Sequence, residues 1–265
     1  MKVSGMIASA LAMLVSGSAM GAADPAPRIF IASDSTAQDY KPDRYPQSGW
    51  GTMLRCAVPG VTVENRAIGG RSTNSFIREG RLDKIVTDLR KGDTLLIQFG
   101  HNDASIDKPE RYTTIEQYRA NLHRFLDVAK AAGAKAVILT PVARRDFKDG
   151  VEQPSFPTYA DAARAVARET HTPLIDLGKM SQAWVQSLGP DAAKAYYLHY
   201  EGNAGAPGYP NGVSDDTHFS ELGARRVADL VATGLKATHL PIAKRVTPHV
   251  PALTRTTPAG GPSCG

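Results

Sequence analysis

Cysteine is scarce in this sequence of 265 residues, which contains only Cys56 and Cys264. So few thiols exclude a disulfide-rich scaffold and a zinc cluster built from cysteines alone. The pair could bond in an oxidising compartment or stay as two free thiols. The sequence leaves both possibilities open, because it does not fix the distance between the two residues.

The sequence also lacks features that membrane proteins and nucleic-acid-binding proteins have. Beyond the N-terminus there is no apolar run of the roughly 20 residues that a membrane helix needs, so no later segment is predicted to span a membrane. Clusters of Lys and Arg interleaved with aromatic residues are also missing, which argues against nucleic-acid binding. The formal net charge of +5 is compatible with a polyanionic glycan as partner, and equally with simple solubility.

The N-terminus has the pattern of a secretory signal peptide. Lys2 precedes an apolar run over residues 6–15, which is too short for a membrane span, and small residues follow as far as Ala23. Cleavage after Ala22 is predicted to release a chain exported to the periplasm or the extracellular space. Residues 248–265 contain little apolar content and several prolines, so they are predicted to form an extended tail.

Short β-rich runs alternate with longer segments of helical period between these two ends. This alternation predicts one α/β domain over residues 23–247, a three-layer α/β/α sandwich around a five-stranded parallel sheet. The predicted strands are 28–33, 62–68, 94–99, 134–140 and 172–177. The predicted helices are 76–90, 115–132, 158–170, 179–188 and 220–236. Residues 40–50 and 196–213 are rich in turn formers and are predicted to be long surface loops.

Polar residues follow the predicted strands, where open α/β sheets bind their ligands. Ser35 follows the first strand at a predicted strand-to-helix turn, Gly70 the second and Asn102 the third, while His218 precedes the last helix. Each has an ordinary structural explanation, since such residues also cap helices and form turns.

Together these residues supply the parts needed for acyl transfer. Ser35 offers a hydroxyl nucleophile, His218 a general base, and Asp215 a carboxylate that can orient the imidazole. A developing oxyanion needs preorganised donors, and the backbone N–H groups of Ser35 and Gly70 with the side-chain amide of Asn102 are candidates.

Six short motifs occur in an order that resembles the SGNH (GDSL-type) hydrolases, and within them the rhamnogalacturonan acetylesterases of carbohydrate esterase family 12. The motifs are DSTA at 34–37, YPQSGWG at 45–51, GRS at 70–72, GHND at 100–103, TPVARR at 140–145 and DDTHF at 215–219. The resemblance implies a flavodoxin-like α/β/α fold and a secreted serine esterase without metal or cofactor. Its implied substrate is an acetylated plant cell-wall polysaccharide, pectic rhamnogalacturonan.

Carried over residue by residue, the resemblance implies Ser35 as nucleophile, His218 and Asp215 as its partners, and Gly70 and Asn102 in the oxyanion hole. Asp216 competes with Asp215 for the acid role, and the three-residue spacing of the family motif favours Asp215. The family has Gly where this chain has Ser33, so either no positive φ is needed there or the turn is altered. Further candidates for substrate binding are His101, Trp50, Arg71 and Arg144.

Those four candidates also have structural interpretations. His101 could hydrogen-bond neighbouring loops, and Arg71 and Arg144, like the neighbouring Arg145, could pair with sugar carboxylates or form surface ion pairs. Trp50 could stack on a sugar face or be buried in the core.

Three other functions compete with the acetylesterase. A metal-dependent phosphoesterase leaves Ser35 and Gly70 unexplained, although it has candidate ligands in His101, Asp103, Asp216 and His218. A glycan-binding protein that has lost catalysis is a second possibility, because fold does not fix function. A broad-specificity lipase or thioesterase needs a wide apolar acyl pocket, whereas the loop at 196–213 is polar and aromatic.

Overall fold

The computed structural model of the protein describes residues 26–249 together with Met1 and Cys264. The predicted signal peptide therefore lies outside the described residues except for Met1, and the predicted tail except for 248, 249 and 264. Within the described part of the chain, no helix is long and apolar enough to cross a bilayer.

The described residues contain ten strands in three sheets, and helices connect most of the consecutive strands. The strands are β1 (Arg28–Ala32), β2 (Gln47–Ser48), β3 (Thr62–Asn65), β4 (Thr94–Gln98), β5 (Lys135–Leu139), β6 (Phe147–Lys148), β7 (Val151–Glu152), β8 (Leu174–Ile175), β9 (Tyr197–Tyr200) and β10 (Val213–Ser220). The α-helices are α1 (Trp50–Leu54), α2 (Thr73–Arg78), α3 (Arg81–Asp88), α4 (Ile115–Ala131), α5 (Pro157–Glu169), α6 (Leu177–Ala192) and α7 (Glu221–Ala237).

The central sheet has five parallel strands in the order β3-β1-β4-β5-β8. Side chains of successive strand residues point to opposite faces, so β1 contributes to two cores. Ile29 and Ile31 pack on the face covered by α1, α6 and α7. Phe30 and Ala32 pack on the opposite face, against α2 to α5. The predicted three-layer α/β/α architecture is confirmed.

Helix boundaries follow local signals in the sequence. Thr114 caps α4 by accepting from the N–H of Gln117, and the Gln117 side chain accepts in return from Thr114 N–H. Gly133 lies just beyond this helix with φ +68°, in the left-handed conformation expected of a helix end. The predicted helix at 115–132 is therefore confirmed within one residue.

Two predictions about the chain path were wrong. Residues 76–90 do not form one helix, because Gly80 adopts φ +68° and separates α2 from α3. The regions predicted as loops instead contribute strands β2 and β9, which pair antiparallel with β10. The pairing of β2 with β10 joins segments far apart in sequence, and no local pattern indicates it.

A disulfide joins Cys56 to Cys264, with the two Cα atoms 5.3 Å apart. Cys56 lies in the short 3-10 helix that follows α1, so the bond ties residue 264 to the main domain. The structure thus decides between the two states that the sequence left open.

Candidate active site

Ser35 lies in a tight turn immediately beyond β1. The carboxylate of Asp34 accepts from Thr36 N–H at 2.9 Å, and the Asp34 carbonyl accepts from Ala37 N–H at 3.2 Å. No helix follows directly, because α1 begins only at Trp50, so the predicted strand-to-helix turn is a strand-to-loop turn. These local bonds fix the position of the serine at the carboxyl end of the sheet.

The side chain of a buried glutamine holds this turn in place by hydrogen bonds. Gln98 Oε1, at the end of β4, accepts from Ser33 Oγ at 3.0 Å, from Thr36 Oγ1 at 3.0 Å and from Trp50 Nε1 at 3.1 Å. Ser33 has no positive φ, so its position does not require glycine. Its hydroxyl instead adds a hydrogen bond that a glycine lacks.

His218 connects Ser35 to a carboxylate. Its Nε2 lies 2.9 Å from Ser35 Oγ, and its Nδ1 lies 2.7 Å from Asp215 Oδ2. Both residues come from β10, whose register shifts between Asp215 and Phe219. This irregularity lets two residues three positions apart face one another, as they would not in regular strand geometry.

Asp215 is held as an anion. Its Oδ1 accepts from the N–H groups of Thr217 at 2.7 Å and His218 at 3.0 Å. Partial burial acts to raise the pKa of Asp215, but the hydrogen bonds from His218 and Thr217 outweigh it and lower the pKa to about 2. The carboxylate is therefore charged at neutral pH, where it favours an Nδ1–H tautomer of His218.

Asp216 occupies a different environment. Its Oδ1 accepts from Arg145 Nη1 at 2.5 Å and lies 2.7 Å from His199 Nε2. Its carboxylate thus binds partners away from His218, and the geometry selects Asp215 as the carboxylate next to the imidazole. Arg145 is engaged in this ion pair and does not contribute to the cleft described below.

Gly70 and Asn102 face the same cleft as Ser35 and His218. Gly70 has φ +78°, a conformation that glycine adopts without strain and other residues rarely do. Asn102 is buried, with its side-chain Nδ2 donating to the Arg71 carbonyl at 3.2 Å. The predicted oxyanion donors and the Ser–His–Asp chain are brought together at one edge of the sheet.

The cleft has a volume of about 600 Å³ and a basic lining. Among the described residues that line it, only Asp107 carries a carboxylate. Its cationic side chains are Arg44, Lys108, Arg111 and Arg144. This excess of positive charge favours an anionic ligand, and low-dielectric walls strengthen the attraction.

His101 lines this cleft from a buried position. Its ring lies 4.7 Å from the Phe156 ring in an edge-on arrangement, and its Nδ1 lies 3.6 Å from Asp34 Oδ2. Burial lowers the pKa of His101, while the Asp34 charge acts in the opposite direction. The imidazole is therefore neutral at neutral pH, and its place in the lining is compatible with the predicted contact with substrate.

Two of the four predicted substrate contacts are misplaced. Trp50 is completely buried and offers no face to a sugar, so that prediction was wrong. The side chain of Arg71 donates to Glu79 at 3.1 Å and to the Gly69 carbonyl at 2.8 Å, and it does not line the cleft. Arg144 does line the cleft, beside His101.

Several functional candidates escaped the sequence analysis. Arg111 donates to Asn102 Oδ1 at 2.9 Å, and Arg44 and Lys108 add charge to the lining. Gln98 supports the nucleophile turn. None of these lies in one of the six motifs. The three cationic residues lie in polar segments whose pattern does not distinguish them from surface residues, and Gln98 is a polar residue at the end of β4, where the sequence does not show what its side chain contacts. Arg111 follows Asn102 closely in the chain, which is the one signal that could have suggested a contact.

The buried carboxylate of Asp103 links two segments next to the site. Asp103 Oδ1 accepts from Thr73 N–H at 3.0 Å and from Thr73 Oγ1 at 2.5 Å. Burial raises the pKa of Asp103 to about 7. The described residues contain no group of three or more His, Cys, Asp or Glu side chains placed to hold a metal ion. Through its two bonds to Thr73, Asp103 connects the loop after β4 to the start of α2.

Known proteins resemble this chain in sequence and fold. It is 41% identical over 217 residues to the rhamnogalacturonan acetylesterase RhgT of Bacillus subtilis, covering 81% of this chain and 92% of RhgT. It is 39% identical over 220 residues to the probable rhamnogalacturonan acetylesterase YesY of the same organism, covering 82% and 96%. The crystal structure of Bacillus subtilis YxiM matches with a TM-score of 0.70 at 28% identity, over 82% of this chain and 58% of YxiM.

Residues 34–226 match the GDSL-like lipase/acylhydrolase family. This range begins at the turn that holds Ser35 and includes Gly70, Asn102 and His218. It covers most of the chain, and it confirms the resemblance that the six motifs indicated. The chain belongs to the GDSL-like lipase/acylhydrolase family.

Proposed function

We propose that the protein is a serine esterase that removes acetyl groups from pectic rhamnogalacturonan. The observation that carries the proposal is the continuous chain from Ser35 Oγ through the His218 imidazole to Asp215, with distances of 2.9 and 2.7 Å. This chain supplies a nucleophile, a base and an orienting anion, which is the set that acyl transfer requires.

The reaction proceeds in two halves. His218 Nε2 accepts the Ser35 proton while Oγ attacks the acetyl carbonyl, and the N–H groups of Ser35 and Gly70 with Asn102 Nδ2 bind the oxyanion. His218 then returns the proton to the sugar oxygen, which leaves as a hydroxyl and creates an acetyl ester on Ser35. Water then attacks this ester while it gives a proton to His218, and His218 passes that proton to Ser35 Oγ as the acyl–oxygen bond breaks, which releases acetate and restores the free serine.

Two observations support an acidic polysaccharide as the substrate. Relatives with 41% and 39% identity carry the name rhamnogalacturonan acetylesterase, one of them as probable. The lining of the cleft, with four cationic side chains and one carboxylate, complements the uronic acid carboxylates of such a polysaccharide. A lipase needs a wide apolar pocket, and here the apolar groups of the lining are confined, among the described residues, to Ala104, Phe156 and the ring of Tyr40.

Export belongs to the same proposal. Residues 1–22 have the charge and apolar pattern of a signal peptide, and a bond between Cys56 and Cys264 suits an oxidising compartment. Mass spectrometry of the secreted chain, with the N-terminus expected after Ala22, tests this part.

Release of acetate from the two polysaccharides, and of fatty acid from the lipid ester, tests the activity. Wild type and Ser35→Ala are incubated in EDTA with acetylated rhamnogalacturonan, acetylated xylan and a long-chain lipid ester. We expect the wild type to release acetate fastest from rhamnogalacturonan, and Ser35→Ala to lose roughly 10³-fold or more in kcat because the nucleophile is absent. Near-normal turnover by Ser35→Ala, or loss of wild-type activity in EDTA, would contradict the serine mechanism. Faster hydrolysis of the lipid ester would contradict the proposal that rhamnogalacturonan is the substrate.

A further inference from the structure

We infer that Arg111 is a positioning residue for the oxyanion hole, which orients and polarises the amide of Asn102. The inference rests on the proposed function, because it assigns a role within the same reaction. Its basis is one contact outside the Ser–His–Asp chain: Arg111 Nη1 donates to Asn102 Oδ1 at 2.9 Å.

The hydrogen bonds of Asn102 define which way its amide points. A guanidinium can only donate, so the atom beside Arg111 must be the amide oxygen. The Arg71 carbonyl can only accept, and it lies 3.2 Å from the other end of the amide, which must be Nδ2. The two partners therefore impose the same orientation on Asn102 from opposite sides.

This orientation leaves one N–H of Asn102 for a ligand. An NH₂ group carries two hydrogens, and the Arg71 carbonyl takes one of them. Asn102 is nearly buried, with 8% of its surface exposed, but it lines the cleft together with Ser35. The second N–H is thus the donor that faces the reacting group. A rotated amide would present Oδ1 there and repel an oxyanion.

The charge of Arg111 acts on the donor as well as on its orientation. A cation on Oδ1 draws electron density from the amide, which makes Nδ2–H a stronger donor. The same Nη1 lies beside Gly70, since a Cβ built on Gly70 would be 3.5 Å from it. One guanidinium therefore neighbours two of the three proposed oxyanion donors.

The loop that carries Arg111 is anchored independently of this side chain. Arg111 N–H donates to the Lys108 carbonyl at 3.0 Å, and Arg78 Nη2 donates to the Glu110 carbonyl at 2.8 Å. The Arg111 side chain is 27% exposed, and its other partner is the exposed carboxylate of Glu110. Replacement of the guanidinium should consequently leave the fold intact. Arg78 offers a matched control, because it holds the same loop from outside the cleft.

Kinetics on p-nitrophenyl acetate test the inference, because this small ester has no carboxylate for Arg111 to bind. We expect Arg111→Leu to lower kcat about 10- to 100-fold with little change in KM, less than the 10²- to 10³-fold cost of losing an oxyanion donor. Arg111→Lys keeps an N–H donor and should lose less. Arg78→Leu should keep kcat within about 2-fold of wild type, with thermal melting confirming that each variant is folded.

A double-mutant cycle with Asn102→Ala isolates the contact. If Arg111 acts through Asn102, adding Arg111→Leu to Asn102→Ala costs less than about 2-fold more. The inference would be overturned if the two kcat losses multiplied in the double variant. It would also be overturned if Arg78→Leu lowered kcat as much as Arg111→Leu, or if Arg111→Leu left kcat unchanged. Failure of the proposed function would look different, since wild type would then not hydrolyse the ester or Ser35→Ala would remain active.

Discussion

The carboxylate of Asp216 lies 2.7 Å from His199 Nε2, whereas the neighbouring Asp215 binds His218 at the same distance. Two adjacent aspartates on β10 thus orient two different histidines. Arg145 completes the Asp216 cluster, which holds β10 against β9 and the loop after β5. The two carboxylates have separate tasks, one beside the nucleophile and one in the support of the strand.

Substitution of each aspartate by asparagine should separate these tasks. Asp215→Asn removes the anion that stabilises protonated His218 and favours the wrong tautomer, so we expect kcat on an acetyl ester to fall roughly 10³- to 10⁴-fold. Asp216→Asn should lower the melting temperature and leave kcat per folded molecule within about 10-fold of wild type. Assays of both variants side by side check this. A larger kcat loss in Asp216→Asn would show that the geometry around His218 has been misassigned.

Sequence predicted the parts of the site that lie in contiguous motifs at strand ends. Ser35, Gly70 and Asn102 were found because the carboxyl ends of parallel strands meet at one edge, and His218 was found because its motif precedes the last helix. Arg111 and the pairing of β2 with β10 were not found, because both depend on loops whose path no local pattern fixes. Trp50 was misjudged for a related reason, since an aromatic residue in a polar loop looks the same whether its ring turns inward or outward.

Stability should depend on pH through Asp103. Burial raises the pKa of this carboxyl to about 7 in the folded protein, against 3.8 normally. Between these values the folded state holds a proton that the unfolded chain has lost, so Asp103 makes stability fall as pH rises through this window. Asp103→Asn removes that contribution. We expect the melting temperature of Asp103→Asn minus that of wild type to be higher at pH 8 than at pH 5. An equal difference at both pH values would contradict a protonated Asp103.

The disulfide should stabilise the domain against unfolding. The bond closes a loop with a sequence separation of 208 residues, and native disulfides contribute about 2–4 kcal/mol, chiefly by restricting the unfolded chain. Cys264→Ser should therefore lower the free energy of unfolding by about this amount in guanidinium titrations. Reductant should lower the free energy of unfolding of wild type to the same value and leave that of Cys264→Ser unchanged. Two alkylatable thiols in unreduced, denatured wild type would show that the bond does not form.

The basic cleft should make recognition of an acidic polysaccharide sensitive to salt. Arg144 lines the cleft and is exposed, so its pairing with a substrate carboxylate is worth about 0.5–1 kcal/mol, or roughly 2- to 5-fold in KM. We expect Arg144→Gln to raise KM for acetylated rhamnogalacturonan by this factor at low salt and to converge with wild type as salt screens the charges. Arg119→Gln removes the same charge from α4, where Arg119 pairs with Glu169 outside the cleft, and should leave KM unchanged. Equal effects of the two substitutions would mean that net charge, and not the cleft, attracts the substrate.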